Sequence, residues 1–145
     1  MQDTLPIHFA PLQGYTEAIY RNAHDAFFGG VDTYYTPFVR LEKGNFRRRD
    51  VRGIEPENNG VPHLIPQLIA SSAEKAEVIL SLFIEKGYQE VDINLGCPFP
   101  LLAKRHNGSG ILPYPEEVKA LLSIVTRYPQ ISFSVKMRLG WEQPD

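Results

Sequence analysis

Short strand-like runs and longer runs of helical periodicity take turns along this chain, and few folds accommodate that alternation. The clearest strand is about Glu90 to Leu95, where Val91, Ile93 and Leu95 alternate with Asp92 and Asn94 before the chain turns at Gly96-Cys97-Pro98. The only cysteine therefore stands just past the C-terminal end of a strand, which is where α/β folds place their chemistry. Before it, Ile7 to Ala10 reads as a strand stopped by Pro11, and Thr16 as the cap of a helix to Phe28 with Ala18, Ile19, Ala23, Ala26 and Phe27 on its buried face. A second strand spans about Thr33 to Val39, with a bend or a strand end at Pro37. Leu41 to Val61 reads as a long surface loop, with room for a short helix, and His63 to Ile69 as a third strand with Pro66 at an irregular end.

Ser71-Ser72-Ala73-Glu74 has the spacing of a capping box, and the helix it opens carries Ala76, Ile79, Leu80, Phe83 and Ile84 on one face and ends at Gly87. Beyond Cys97, Phe99 to Pro113 reads as a loop whose Gly108-Ser109-Gly110 is better taken as flexible than as phosphate-binding, since both nucleotide-binding glycine spacings are incomplete. Pro115, Glu116 and Glu117 open a helix that buries Val118, Leu121, Leu122 and Val125, and Ile131 to Met137 is a fifth strand. This βα repeat calls for parallel strands, in a doubly wound sheet or a (β/α)8 barrel. A barrel takes about 250 residues. The chain has 145, so the barrel reading expects about the N-terminal half of one, with exposed strand edges that favour self-association.

Composition narrows the class. A hydrophobic content of 43% supports a real core, no apolar run is long enough to span a membrane, and Met1-Gln2-Asp3-Thr4 lacks a signal-peptide pattern; a cytoplasmic location is expected. A single cysteine excludes an internal disulfide framework and a cysteine-rich zinc site, and no metal is expected. Cys97 is then a packed thiol or a reagent, either a nucleophile with a nearby base or a general acid held protonated. The net charge of −2 exerts no global pull on nucleic acid, but Lys43, Arg47, Arg48, Arg49 and Arg52 crowd one stretch that also holds Phe46. Alternation puts Asp92 and Asn94 on one strand face, and Ser134, Lys136 and Arg138 on one face of the last strand. Polar groups in strands otherwise built for burial require partners, so Lys136 is a candidate site residue. Gln67, at a strand end, could offer an amide donor and acceptor to a flat heterocycle, but as a single residue it reads more readily as a surface glutamine.

Taken together, Ala10-Pro11-Leu12-Gln13-Gly14-Tyr15-Thr16, Phe38-Val39-Arg40, Gln67, Asn94-Leu95-Gly96-Cys97-Pro98, Gly108-Ser109-Gly110-Ile111-Leu112 and Val135-Lys136-Met137-Arg138-Leu139-Gly140-Trp141 resemble, in that order, the tRNA-dihydrouridine synthases. The resemblance covers essentially the whole chain. It implies an FMN-dependent (β/α)8 TIM barrel followed by a small helical domain, which reduces uridines of the tRNA D-loop region to 5,6-dihydrouridine with electrons from NADPH. By the same matching, Cys97 is the acid that protonates C5 of the uracil. Pro11, Leu12 and Gln13 lie under the flavin, Gln67 and Lys136 bond its ring atoms, and Asn94, Arg40 and Arg138 hold the flipped uridine and neighbouring RNA. The chain departs from the pattern at Thr36-Pro37, where many relatives carry an acidic residue, and at Gly110-Ile111-Leu112. Its end at Asp145, short of the late phosphate-binding loops of such barrels, leads to the expectation of poor FMN binding and an inactive fragment. The competing readings are a flavin-barrel oxidoreductase acting on a small molecule and a non-catalytic RNA-binding half-barrel.

Overall fold

The computed structural model describes residues 5–143; the signal-peptide reading of Met1 to Thr4 and the end at Asp145 lie outside them. The elements are β1 (His8–Phe9), α1 (Ala18–Phe27), β2 (Thr33–Tyr35), β3 (Leu41–Glu42), β4 (Asn45–Phe46), α2 (Arg48–Ile54), β5 (Leu64–Ile65), β6 (Gln67–Leu68), α3 (Ala73–Glu85), β7 (Glu90–Leu95), α4 (Pro100–Ala103), α5 (Pro115–Arg127) and β8 (Ser132–Met137). Parallel pairing runs β1-β2-β5 and β6-β7-β8, and a bridge between Val39 and Leu68 links the two groups. The strands thus follow one another in chain order with no switch point. That order departs from a doubly wound sheet and is consistent with a (β/α)8 barrel.

Pro66 explains why the expected third strand is two. Lacking an N–H, it interrupts the ladder, so that Leu64–Ile65 pair with β2 and Gln67–Leu68 pair with β7. Pro37 ends β2 early for the same reason and leaves Val39 a single bridge. The expected loop over 41–61 is more ordered than its sequence suggests. Lys43 and Gly44, both at positive φ (51° and 80°), turn β3 antiparallel onto β4 in a two-residue hairpin, and α2 follows directly. Strands of two residues carry too little alternation to be read from sequence.

The main core lies between β6–β8 and the pair α3 and α5, with Leu68, Ile79, Leu80, Phe83, Val91, Ile93, Leu121 and Ile124 all fully enclosed. Each such side chain contributes about 1.5–3 kcal/mol. The helix cap lies one residue later than the capping-box reading: Ser72, not Ser71, accepts the Lys75 N–H at 3.4 Å. On α3, Ile84 is exposed, and on α5 Val125 is exposed while Ile124 takes the buried position.

The expected face of α1 is reversed. Ile19 and Phe27 are 83% and 84% exposed, while Arg21 is fully buried. The Arg21 guanidinium donates to the carbonyls of Thr16 at 2.6 Å and Gly53 at 2.9 Å and to the Asn59 side chain, and burial pulls its pKa down to about 10. It remains a cation at neutral pH, so α1 is fastened inward by a charge with three acceptors. Thr16 does not cap α1, since Glu17 is the N-cap. Its hydroxyl instead accepts from the Leu12 N–H at 2.8 Å and fixes the turn after β1.

The segment after Cys97 also differs from expectation. Gly108–Ile111 is a buried 3-10 turn packed on Cys97 and on α4, not a flexible loop. A Cβ on Gly108, which sits at φ +59°, would come within 2.6 Å of the Cys97 carbonyl oxygen, and one on Gly110 would overlap the Ala103 carbonyl. Gly110→Ala is accordingly expected to destabilise the chain by about 1–3 kcal/mol in urea melts, because the blocking atoms are backbone. An unchanged midpoint would contradict this packing.

Candidate active site at the strand ends

A cavity of about 290 Å³ opens at the C-terminal ends of β1, β6, β7 and β8. It brings together Pro11, Leu12, Gln13, Gln67, Asn94, Cys97, Lys136 and Arg138, which is every residue to which the resemblance gave a site role except Arg40. Pro37, Phe38 and Met137 complete its walls. Arg40 lines a neighbouring cavity, where it bonds Glu42 at 3.2 Å while its backbone N–H reaches Asp50.

Parallel register accounts for the convergence. Gln67 lies beside Asp92, Asp92 beside Ser134, and Asn94 beside Lys136. Three buried side chains on this face form one continuous hydrogen-bonded chain. The Gln67 amide donates to Asp92 Oδ2 at 2.6 Å and accepts from the Asn94 amide at 2.8 Å; Asn94 Oδ1 then accepts from the Gly96 N–H at 3.1 Å and the Cys97 N–H at 2.9 Å. Ser134 donates to the other Asp92 oxygen at 2.7 Å. Because a carboxylate only accepts, Asp92 dictates which end of the Gln67 amide faces it, and that choice propagates to Asn94 and the cysteine turn. The sequence identified Gln67 and Asn94 as site residues and showed that Asp92 and Ser134 needed partners; pairing them required the register.

Cys97 is held from both sides. Its N–H is bound by Asn94, and its carbonyl accepts from the backbone N–H and the hydroxyl of Ser109, each at 3.0 Å. The residue is partly buried and packs against Phe38, Ile69 and Leu102. Ser109 was not singled out from sequence as a residue acting on Cys97; the twelve-residue separation hides the contact. Thr36, at the departure from the family pattern, is buried and accepts the Gln67 N–H at 3.0 Å, so it supports the same strand end.

Lys136 is exposed rather than buried, because β8 is the outer strand of its sheet among the described residues. Its ammonium still acts on Asp92. Burial pushes the Asp92 carboxyl above the ordinary range, and the hydrogen bonds from Gln67 and Ser134, together with Lys136, oppose that shift without reversing it. The basic run is partly neutralised internally: Arg47 grips buried Asp50 through two bonds of 2.8 Å. Among the described residues there is no cluster of three or more His, Cys, Asp or Glu side chains fit to hold a metal, and no helix is long and apolar enough to cross a membrane.

Two outcomes follow from the amide chain. The folded chain holds the Asp92 proton more tightly than the unfolded one, so this residue favours folding below the unfolded value of about 3.9 and the contribution is lost as pH rises through the raised value. The stability of the unsubstituted chain relative to Asp92→Asn should therefore decline as pH rises above the unfolded value, and a difference that grows with pH would refute the assignment. Asn94→Ala, which strips two N–H groups of the cysteine turn of their acceptor, should cost about 1–3 kcal/mol. Thermal melts at one pH suffice to check it.

Comparison with known proteins points to one family. The family model described as Dihydrouridine synthase (Dus) matches residues 8–145. A probable tRNA-dihydrouridine synthase 1 of Synechocystis is 29% identical over 139 residues, covering 92% of this chain and 37% of that protein. tRNA-dihydrouridine synthase B of Klebsiella pneumoniae is 33% identical over 76 residues, or 52% of this chain and 24% of its own length, and the Escherichia coli K12 protein of the same name is 32% identical over 75 residues. The chain thus spans little more than a third of the first relative and about a quarter of the second. With a family match that runs from β1 to the end of the chain, this protein belongs to the dihydrouridine synthase family.

Proposed function

We propose that this chain forms the first five staves of a flavin-dependent (β/α)8 barrel that reduces uridine to 5,6-dihydrouridine in tRNA, with NADPH as the electron source. The observation that carries the reading is an unsatisfied amide. Both polar atoms of the Gln13 side chain are buried without a hydrogen-bond partner, on the wall of the cavity that also holds Gln67, Lys136 and Cys97. Buried amides left this way cost about 1–3 kcal/mol, and a flat heterocycle with donors and acceptors on its edge would satisfy them. The residues present therefore fit FMN.

Pro11, Leu12 and Gln13 would hold one face of the ring system, and Gln67 retains one N–H and one lone pair beyond its bonds to Asp92 and Asn94. The chemistry supplied by a bound reduced flavin is hydride delivery to C6 of the uracil. Lys136, on the same cavity wall, would supply a cation to a group that gains negative charge on reduction. Asn94 and Arg138 orient the extruded base from the strand ends, and Cys97, its backbone fixed on both sides, gives the proton to C5. Hydride and proton together saturate the C5–C6 bond. Synthases named for tRNA among the relatives support this substrate. The exposed apolar face of α1 and the open edge of β8 suit the remaining staves of such a barrel.

FMN fluorescence quenching tests the cofactor assignment. The chain should quench weakly but saturably, and Lys136→Met and Gln13→Ala should each weaken the effect; absence of quenching at any concentration would remove the flavin reading. In a form of the protein that carries the whole barrel, single-turnover conversion of tRNA uridine by pre-reduced FMN should slow by about 10²–10⁴-fold in Cys97→Ala. Affinity for tRNA should be untouched. An equal loss of both would show that Cys97 binds RNA rather than protonating it.

A further inference from the structure

Beside the active-site cavity lies a second one, of about 310 Å³, whose charge is lopsided. Arg40, Lys43, Lys75 and Arg105 line it against a single carboxylate, Glu42. They come from four separate places: the strand end after β2, the β3–β4 turn, the first turn of α3 and the segment after α4. Convergence of four cations from distant parts of a chain with net charge −2 is opposed by their mutual repulsion unless an anion joins them. Glu42 accepts from only one Arg40 nitrogen, and Arg40 Nε is buried with no partner at all. A buried guanidinium N–H left this way lacks an acceptor that an anionic oxygen could supply.

The position relative to Cys97 gives the anion its identity. Ile69 and Leu102 form the floor of this cavity, and on their other side they pack with Phe38 against Cys97. One layer of apolar side chains therefore separates the cation cluster from the thiol. A base inserted beside Cys97 would bring its own strand across that ridge. Among the described residues the rim offers no aromatic ring for stacking, so the cavity is suited to backbone rather than base.

We infer that the Arg40–Lys43–Lys75–Arg105 cavity binds a phosphodiester of the RNA strand that flanks the extruded uridine. It sets where the strand crosses the protein and so which nucleotide reaches Cys97. The inference rests on the reading that the chain acts on tRNA. It gives Lys43, at the β3–β4 turn, a defined place in substrate binding, where the sequence had offered only a crowded basic stretch.

The test is the salt dependence of tRNA binding by this chain, read by fluorescence anisotropy. Lys43→Gln and Arg105→Gln alter exposed side chains, and each should make the slope of log K against log salt shallower by about 0.7–0.9, with a several-fold loss of affinity at low salt. Lys119→Gln, on the exposed side of α5, serves as the control and should leave both unchanged. If both cavity variants keep the original slope and affinity while tRNA still binds, the phosphodiester site is overturned and the synthase reading stands. If the unsubstituted chain binds no tRNA, both fall together. Displacement of tRNA by sub-millimolar inorganic phosphate at constant ionic strength would instead mark a free-phosphate site and overturn the assignment to RNA.

Discussion

The buried carboxylate of Asp92 is the fixed point of this structure. It can only accept hydrogen bonds, and it accepts from Gln67 and Ser134 on the strands to either side, so a single charge ties β6, β7 and β8 together below the cavity. Because Gln67 must present its NH2 to Asp92, its carbonyl is left for Asn94, and the carbonyl of Asn94 is left for the cysteine turn. Reversing any one amide would set acceptor against acceptor. The orientation of the turn that carries Cys97 thus follows from the charge state of a residue five positions earlier, without direct contact between the two.

Buried polar networks are costly when half-satisfied, and every carboxylate and amide atom of this one has a partner. Gln13 completes the contrast: it lies on the same cavity wall, with neither amide atom paired. Polar satisfaction below and deficiency above is the pattern of a site organised for a ligand rather than of a defect in packing. Exposure of Lys136 fits the same division, since its ammonium stands at the open side of the cavity while the aspartate that senses it is enclosed.

How much of this could be read from the chain depended on what each signal measured. The alternation of Val91, Ile93 and Leu95 reports burial, and the strand stands where it was expected. The family motifs likewise named eight residues that the fold brings to one cavity. Periodicity failed on α1 because it records apolar spacing and not what lies opposite: the face containing Ile19 and Phe27 has the right pattern yet stays exposed, while Arg21, which no hydrophobic scale would place inside, is enclosed by three acceptors. The β3–β4 hairpin was hidden by the shortness of its strands. The Ser109 clamp on Cys97 was hidden because local sequence carries no information about a contact across a loop. Arg40 was identified as an RNA residue from its motif, but only the fold shows it facing Lys75 and Arg105 rather than Asn94.

The two sides of the cavity are held by different forces, and this bears on how the site would behave. Cys97, Asn94 and Gln67 rest on β6 and β7, which are backed by the apolar core of α3 and α5. Pro11 to Gln13 follow β1, a two-residue strand, and are fixed by polar contacts: Thr16 onto Leu12, Arg21 onto Thr16, and the Asp32 carboxylate onto the Ile7 N–H at 2.6 Å. Such hydrogen bonds are individually worth about 0.5–1.5 kcal/mol, and those at Leu12 and Ile7, not fully enclosed, open locally at lower cost than a core that opens only with the whole domain. The Cys97 side of the site is therefore set by the fold itself. Order on the Pro11–Gln13 side depends on those polar contacts, so a ligand that paired with the two open amide atoms of Gln13 would steady this side of the cavity and bind better for doing so.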